Sequence, residues 1–333
     1  MSEIKNRSEI VFLYDIKDAN PNGDPMDENK PRIDEETEIN IVTDVRLKRT
    51  IRDYLHNFKE KEIFVRTIEY EPGKIQDAKM RIEDFLVDEK GEKKDKKDLP
   101  LGEMKKTMRE NVIKNCIDVR LFGATIPVEK TEKEKSSITL IGPVQFRFGR
   151  SLHKVEVVHI KGTGAFASEK EKAQKTFRDE YILPYSLICF YGIINENAAK
   201  TTELTEDDVN LLLDGIWNGT KNLITRSKIG QLPRLLLRVI YKEKNYHIGY
   251  IDKKIRLITD KDEKEIRDIS EVKLDITDLI NTLKINKEKI EKIEYEVNED
   301  VVFFVEGVEI KGSEIEENLK KEGFQASPLN LNM

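Results

Sequence analysis

The chain has 333 residues, 38% of them apolar and 37% charged, with 58 Lys and Arg against 64 Asp and Glu and a formal net charge of -6. That length supports a sizeable core, and 13 Phe and 10 Tyr with only 10 Pro exclude wholesale disorder. Two cysteines, Cys116 and Cys189, exclude a disulfide framework, and four scattered histidines leave transition-metal ligands scarce.

The N-terminal MSEIKNRSEIVFLYD lacks the basic-then-apolar layout of a secretory signal. Glu9–Lys17, rich in β-branched and aromatic residues, predicts a strand. Asp18–Glu38, with three prolines among many Asp, Glu and Asn, predicts a long loop. Thr43–Phe58 is the clearest helix: Leu47, Ile51, Tyr54, Leu55 and Phe58 follow the 3.6 period, and Thr43 is placed to cap it. Ile63–Tyr70 reads as a strand, Lys90–Asp98 as a solvated charge run, and Leu101–Ile117 as a helix through Met104, Met108, Val112 and Cys116. Glu129–Ser136 is a second charged segment, followed by strand candidates at Ser137–Phe148 and Lys154–Lys161.

The longest apolar run, Tyr181–Ile194, is 14 residues broken by Pro184 and Gly192. It is too short to span a bilayer of ~30 Å, so a cytoplasmic protein with no membrane partner is expected. Thr205–Thr225 predicts a second amphipathic helix, with Thr205 and Asp208 spaced as a capping box, and Arg234–Tyr241 a strand after it. From Thr259 helix and strand signals alternate, and Phe324–Met333 is expected to fray. The fold class is α+β: the order strand, helix, strands, helix, strand suggests a ferredoxin-like βαββαβ unit with large insertions. Residues 1–255 are assigned to that palm, with inserted segments at about 70–100 and 124–200, and 256–333 to a C-terminal α/β extension packed on it.

Net acidity argues against a general nucleic-acid binder, but the charge is unevenly distributed. Segments Glu9–Asp44 and Asp260–Ile310 are each -8, while Trp217–Lys244 carries seven cations against one acid and Val144–Arg178 eight against three. On the first helix Arg46, Lys48, Arg49 and Arg52 occupy the faces left by the apolar stripe. They are either a solvated face or a set of phosphate contacts. Thr225-Arg-Ser-Lys-Ile-Gly-Gln-Leu-Pro-Arg234 is a turn-rich basic connector whose hydroxyls, amide and cations suit sugar and phosphate. Lys161-Gly-Thr-Gly-Ala-Phe-Ala-Ser168 reads as a hairpin connection or as a flexible segment around an aromatic that wedges between bases. Asp18-Ala-Asn-Pro-Asn-Gly23 opens like a calcium loop, but position 12 is Asn29, two prolines stiffen it, and a strand precedes it, so no metal or other cofactor is assigned. No local nucleophilic-catalysis signature is present.

Taken in order, Glu9-Ile-Val-Phe-Leu-Tyr-Asp-Ile-Lys-Asp-Ala-Asn-Pro-Asn-Gly-Asp24, Thr43-Asp-Val-Arg-Leu-Lys-Arg49, Asp118-Val-Arg-Leu-Phe-Gly123, Gly142-Pro-Val-Gln-Phe146, Gly149-Arg-Ser-Leu152 and Thr225-Arg-Ser-Lys-Ile-Gly-Gln231 resemble the backbone subunit of type I-B CRISPR Cascade complexes. The resemblance covers most of residues 7–245. It implies an RRM-like palm carrying a thumb-like hairpin and helical additions, and a non-catalytic scaffold for antiviral defence. It also implies the partners: CRISPR RNA, copies of itself stacked head-to-tail, other Cascade subunits, and target DNA through pairing with the guide.

Carried onto this chain, the RNA-binding residues are Arg46, Lys48, Arg49 and Arg52, then Asn20 and Asn22, then Arg226, Ser227, Lys228 and Gln231. The strands around Gly149–Ser168 are taken as the thumb, with Arg150 as a further contact and Phe166 as a wedge. Related type III backbone subunits cut target RNA with a loop aspartate. The competing expectation is therefore a metal-dependent endoribonuclease using Asp18, Asp24 or Asp27.

Overall fold

The computed structural model describes residues 3–163 and 177–331. It is a mixed α/β fold around one 10-stranded sheet. The strands used below are β1 (Ser8–Ala19), β2 (Ile39–Val42), β3 (Gly149–Lys154), β4 (Val158–Thr163), β5 (Phe177–Ile194), β6 (Leu232–Tyr241), β7 (Ile290–Val297) and β8 (Ala326–Pro328). The helices are α1 (Asp44–Lys59), α2 (Leu101–Asn115), α3 (Ile117–Phe122), α4 (Glu206–Lys221) and α5 (Thr277–Ile285). Across the sheet the order runs β8-β7-β6-β1-β5-β3-β2, antiparallel except for the β7–β8 pair. No helix of the described residues is long and apolar enough to cross a membrane.

The central strands carry continuous apolar runs, Ile10–Tyr14, Leu187–Tyr191 and Leu235–Leu237, because both of their faces are covered there, the arrangement that removes the usual polar alternation. Ile10, Phe12, Tyr14 and Ile16 of β1, with Ile188 and Phe190 of β5, pack under Leu47, Ile51 and Leu55 of α1 and Val209, Leu212 and Ile216 of α4. Val11, Leu13, Leu187, Cys189, Leu235 and Leu237 point the other way, against Ile251, Ile255, Leu274, Leu279 and Leu283 from the C-terminal part of the chain. Both thiols are free and buried.

Both long helices begin as their sequences dictate, while α4 ends at Lys221, short of the expected Thr225. Thr43 accepts from the Arg46 N–H at the start of α1, and Thr205 and Asp208 form a reciprocal capping box at the start of α4. The two helices run close together because α4 presents Gly219 to Tyr54: a Cβ there would stand 3.0 Å from the Tyr54 Cβ. Phe58 departs from the predicted core face. It is 57% exposed and stacks on Tyr54 at 5.2 Å instead.

Between α1 and β3 the chain builds a lobe with its own core, where Phe64, Phe85, Met104, Met108 and Val112 meet Ile126 and Ile138 of the hairpin Gly123–Glu129/Lys135–Ile141. The motif Asp118–Gly123 fastens this lobe to both helices. The buried Asp118 carboxylate accepts from Arg52 Nε at 3.0 Å and from the backbone N–H groups of Phe64 and Val65 at 2.7 and 3.1 Å. Arg120 donates to both oxygens of Asp208 at 2.9 and 2.8 Å. Gly123, at φ 69°, closes the motif where a Cβ would lie 2.2 Å from the Leu140 carbonyl oxygen.

Four segments differ from their sequence patterns. Ile63–Tyr70 is not a strand: only Glu69–Glu71 is extended and paired, because Asp118 turns the backbone at Phe64 and Val65 and buries Ile63 and Phe64 in the lobe. The predicted helix Leu101–Ile117 breaks at Cys116, where α3 begins. Tyr181–Ile194, read as an apolar run, belongs to the strand at the middle of the sheet, so the stretch expected as an insertion at 124–200 supplies β3 and β5. Ala326–Pro328 does not fray: it pairs with β7, and Phe324 is buried.

A second fastener is the buried Glu9 carboxylate. It accepts from the hydroxyls of Tyr191 and Tyr241 and from the N–H groups of Ile248 and Gly249, both at 2.9 Å. Burial and the carboxylate push both phenols up from their ordinary value. A third is His153 of β3. Its Nδ1 faces the carbonyls of Lys154 and Glu263, and its Nε2 accepts from the Leu187 N–H at 3.2 Å. The ring is therefore neutral, and burial holds it below its ordinary value of 6.5.

Two predictions follow from these fasteners. Replacing Arg52 by Ala leaves a buried, half-compensated Asp118 charge, and stability should fall by about 3 kcal/mol, read from the urea midpoint; an unchanged midpoint contradicts the account. Because the folded-state value of His153 is depressed, its contribution is fully present above the unfolded value of 6.5 and is lost as pH falls below it. Unfolding midpoints should drop between about pH 7 and 5, and His153→Gln should flatten that slope.

Candidate nucleic-acid interface

With both sheet faces covered, chemistry on this fold is left to the strand ends and their loops. One such end gathers four segments: the C-terminus of β1, the loop to β2, the N-terminus of α1, and the connector from α4 to β6. Most of the residues singled out in the sequence lie here.

Asn20 and Asn22 act as internal ties. The Asn20 backbone N–H donates to the Ser227 carbonyl at 2.9 Å, and its buried side chain donates to the Asn29 carbonyl at 2.7 Å. Asn22 Oδ1 accepts from both the N–H and the hydroxyl of Thr43, each at 2.9 Å. The loop and the connector are thereby held against the α1 N-terminus. Ser227 contributes its carbonyl to Asn20 and its hydroxyl to Lys228.

The basic residues separate into three groups. Lys48 and Arg52 are committed inside the fold: Lys48 pairs with Asp44 at 2.9 Å, Arg52 with Asp118, and both cations sit over the Phe122 ring. Arg49, Arg150 and Arg226 are exposed and paired with Asp53, Asp34 and Glu180. Exposed pairs of this kind contribute little and exchange readily for another anion.

Arg46 and Lys228 form the third group. Both are half-buried, and neither has a carboxylate within 4.0 Å among the described residues. Arg46 donates to the Thr50 hydroxyl at 3.0 Å, and Lys228 to the Ser227 hydroxyl at 3.1 Å. Burial holds Arg46 below its ordinary value, and burial together with the Arg46 charge does the same to Lys228. Two cations that disfavour each other, partly withdrawn from water and lacking an acid, are relieved by a bound anion.

Gln231 is 4% exposed and lies beneath Arg46, out of reach of a surface ligand. Of the segment Gly149–Ser168, Gly149–Lys154 lies within the sheet. The projecting part is the ribbon of β4 with the first residues of β5, paired from Val158↔Ile182 to Thr163↔Phe177. Phe166 lies outside the described residues.

Sequence reasoning missed the cavity of about 740 Å³ between the loop 24–35 and this ribbon, whose walls include Lys30, Arg32, Phe148, His159 and Tyr181. Tyr181 stacks on His159 at 4.5 Å, lies under Lys30 at 5.3 Å, and donates to Glu28 at 2.9 Å. These contacts join loop to ribbon. The aromatic residues of a basic segment were the available signal, but Tyr181 was hidden in an apolar run. The aspartates considered for metal-assisted cleavage are differently engaged: Asp24 pairs with Arg32 at 2.8 Å and Asp27 with Lys30 at 2.7 Å, while Asp18 sits in the left-handed region at φ 47°. Among the described residues no three His, Cys, Asp or Glu are grouped to hold a metal ion.

Comparison with known proteins gives this geometry a context. Residues 6–277 match the family model of the CRISPR-associated protein Cas7. A CRISPR-associated protein Cas7 from Haloferax volcanii is 35% identical over 305 residues, covering 86% of each chain. Two solved structures share the fold at low identity. A chain of a CRISPR RNA-guided surveillance complex, pre-nicking, has a TM-score of 0.52 at 12% identity over 95% of this chain and 100% of its own. A chain of a second such complex has 0.50 at 13%, over 87% and 88%. A family model spanning most of the chain, and a relative at this identity and coverage, make this protein a member of the Cas7 family.

Proposed function

We propose that the chain is the backbone subunit of a CRISPR RNA-guided surveillance complex, of the type I-B Cascade kind, and that it holds the guide RNA by its sugar–phosphate chain. Copies stack head-to-tail along one guide in the cytoplasm, contact the other Cascade subunits, and present the guide for pairing with invading DNA. Family membership supports the assignment. The observation that carries the RNA contact is the half-buried Arg46–Lys228 pair without an acid partner. Phosphate supplies the missing charge without reference to base identity. The covered faces of the central strands agree with this, since their aromatic residues Phe12, Tyr14, Phe190 and Tyr191 are buried.

The sheet order β6-β1-β5-β3, with α1 and α4 on one face, supports reading residues 1–255 as an RRM-like palm. The lobe and its hairpin are then the helical addition, the β4–β5 ribbon the thumb, and 256–333 the extension that covers the opposite face. Family membership supports a scaffold with no chemical step of its own.

Binding of guide-length RNAs of different sequence, followed by fluorescence anisotropy against salt, tests this reading. Affinity should be nearly independent of sequence and fall steeply with salt. Arg46→Ala with Lys228→Ala should weaken every RNA alike and reduce the log–log salt slope by about 1.4, two single-strand phosphate contacts. An unchanged affinity and slope overturns the assignment of this pair.

A further inference from the structure

Beneath Arg46 the fold encloses a cavity of about 10 Å³, room for the centre of one water molecule and for nothing larger. Its polar walls are Tyr14, Arg46, Thr50, Thr220 and Gln231; Val42, Leu47 and Phe190 complete it. Two of its lining residues carry a buried donor without an acceptor among the described residues: Nε2 of Gln231, whose side chain is almost fully enclosed, and Nε of Arg46. A buried N–H without an acceptor is destabilising, and a native fold normally supplies one from protein or ordered water.

The groups around this cavity match the hydrogen-bonding capacity of water. The two N–H donors require two lone pairs, and the lining residues Tyr14 and Thr220 each carry a hydroxyl able to accept from the same water. A cation is excluded by the guanidinium. Arg46 Nη2 is already held by Thr50, whose hydroxyl in turn donates to the Arg46 carbonyl at 3.1 Å. With Nη2 on Thr50 and Nε taken up by an acceptor below, Nη1 is the nitrogen left for a phosphate.

We propose that this cavity holds one ordered water that accepts from Arg46 Nε and Gln231 Nε2 and donates to Tyr14 and Thr220, and that Gln231 thereby positions the Arg46 guanidinium for phosphate. The positioning role rests on the proposed RNA contact of Arg46; the water does not. Gln231 then serves RNA binding without touching RNA, and the connector that carries Lys228 and Gln231 contributes one residue to the groove and one to the support beneath it.

Two measurements on the full chain test this. In a crystal structure that resolves ordered water, one peak should lie about 2.7–3.2 Å from both Arg46 Nε and Gln231 Nε2. A dry cavity, a direct contact between the two side chains, or a halide replacing the peak after a bromide soak overturns the water. The second is a double-mutant cycle on guide-RNA affinity. Gln231→Leu, which keeps the volume and removes the donor, should weaken binding about 3- to 10-fold and cost nothing further in an Arg46→Ala background. Tyr14→Phe, which keeps the stacked ring and removes one acceptor, should behave likewise and serves if Gln231→Leu does not fold. Equal losses in both backgrounds, or no loss from Gln231→Leu or Tyr14→Phe, overturn the positioning role. If Arg46→Ala alone leaves affinity unchanged, the phosphate assignment and the positioning role fall together, while the crystal peak still decides the water.

Discussion

The central strands β1, β5 and β6 are covered on both faces, and most other features of the molecule follow from that constraint. Where a strand is enclosed in this way its side chains are out of a ligand's reach, so binding groups are displaced to the strand ends. Polar residues that do enter the interior must be fully partnered there. Glu9 meets two phenols and two backbone N–H groups. Asp15 meets Arg234 at 3.0 Å and Tyr185 at 2.9 Å. The Glu9 cluster ties β1, β5 and β6 to the segment at Ile248 and Gly249, and Arg234 also pairs with Asp300 at 2.8 Å; with β7 and β8 added to the sheet, the part of the chain beyond about 250 is continuous with it rather than an appendage.

Several residues that carry the family resemblance are architectural. Asp118 and Arg120 anchor the lobe, Gly123 allows its hairpin to close, and Asn20 and Asn22 fix the loop over the α1 N-terminus. A family motif is thus a record of what the fold requires as well as of what it binds. Of the four cations singled out in the sequence of α1, two are neutralised inside the protein, one is paired at the surface, and one has no carboxylate within 4.0 Å among the described residues. Counting cations along a helix does not separate these cases, because the neutralising acids come from residues as distant as Asp118.

The net charge of -6 has a corresponding local meaning. The acidic loop 24–38 lies beside the basic connector rather than far from it, and its carboxylates engage Lys30, Arg32 and Arg150. The groove is therefore not uniformly basic. In the proposed RNA contact, attraction for an anion is concentrated at the pair with no acid, and the surrounding acids oppose indiscriminate binding of polyanions.

Local sequence determined the parts governed by local physics. The 3.6-residue period and the Thr43 and Thr205 caps placed α1 to within a residue or two and the start of α4 to within one, although α4 ends four residues before Thr225, and the β-rich runs at Glu9 and Arg234 are strands that pair with each other. The order of motifs carried the family. Tertiary structure alone decided that Tyr181–Ile194 is a central strand, since an apolar run reads the same in any buried element, and that Ile63–Tyr70 turns instead of extending, since the Asp118 carboxylate that caps its N–H groups is some fifty residues away. It also decided which cations remain without a partner. Charge is written in the chain, but neutralisation is a property of distance, and distance exists only once the chain has folded.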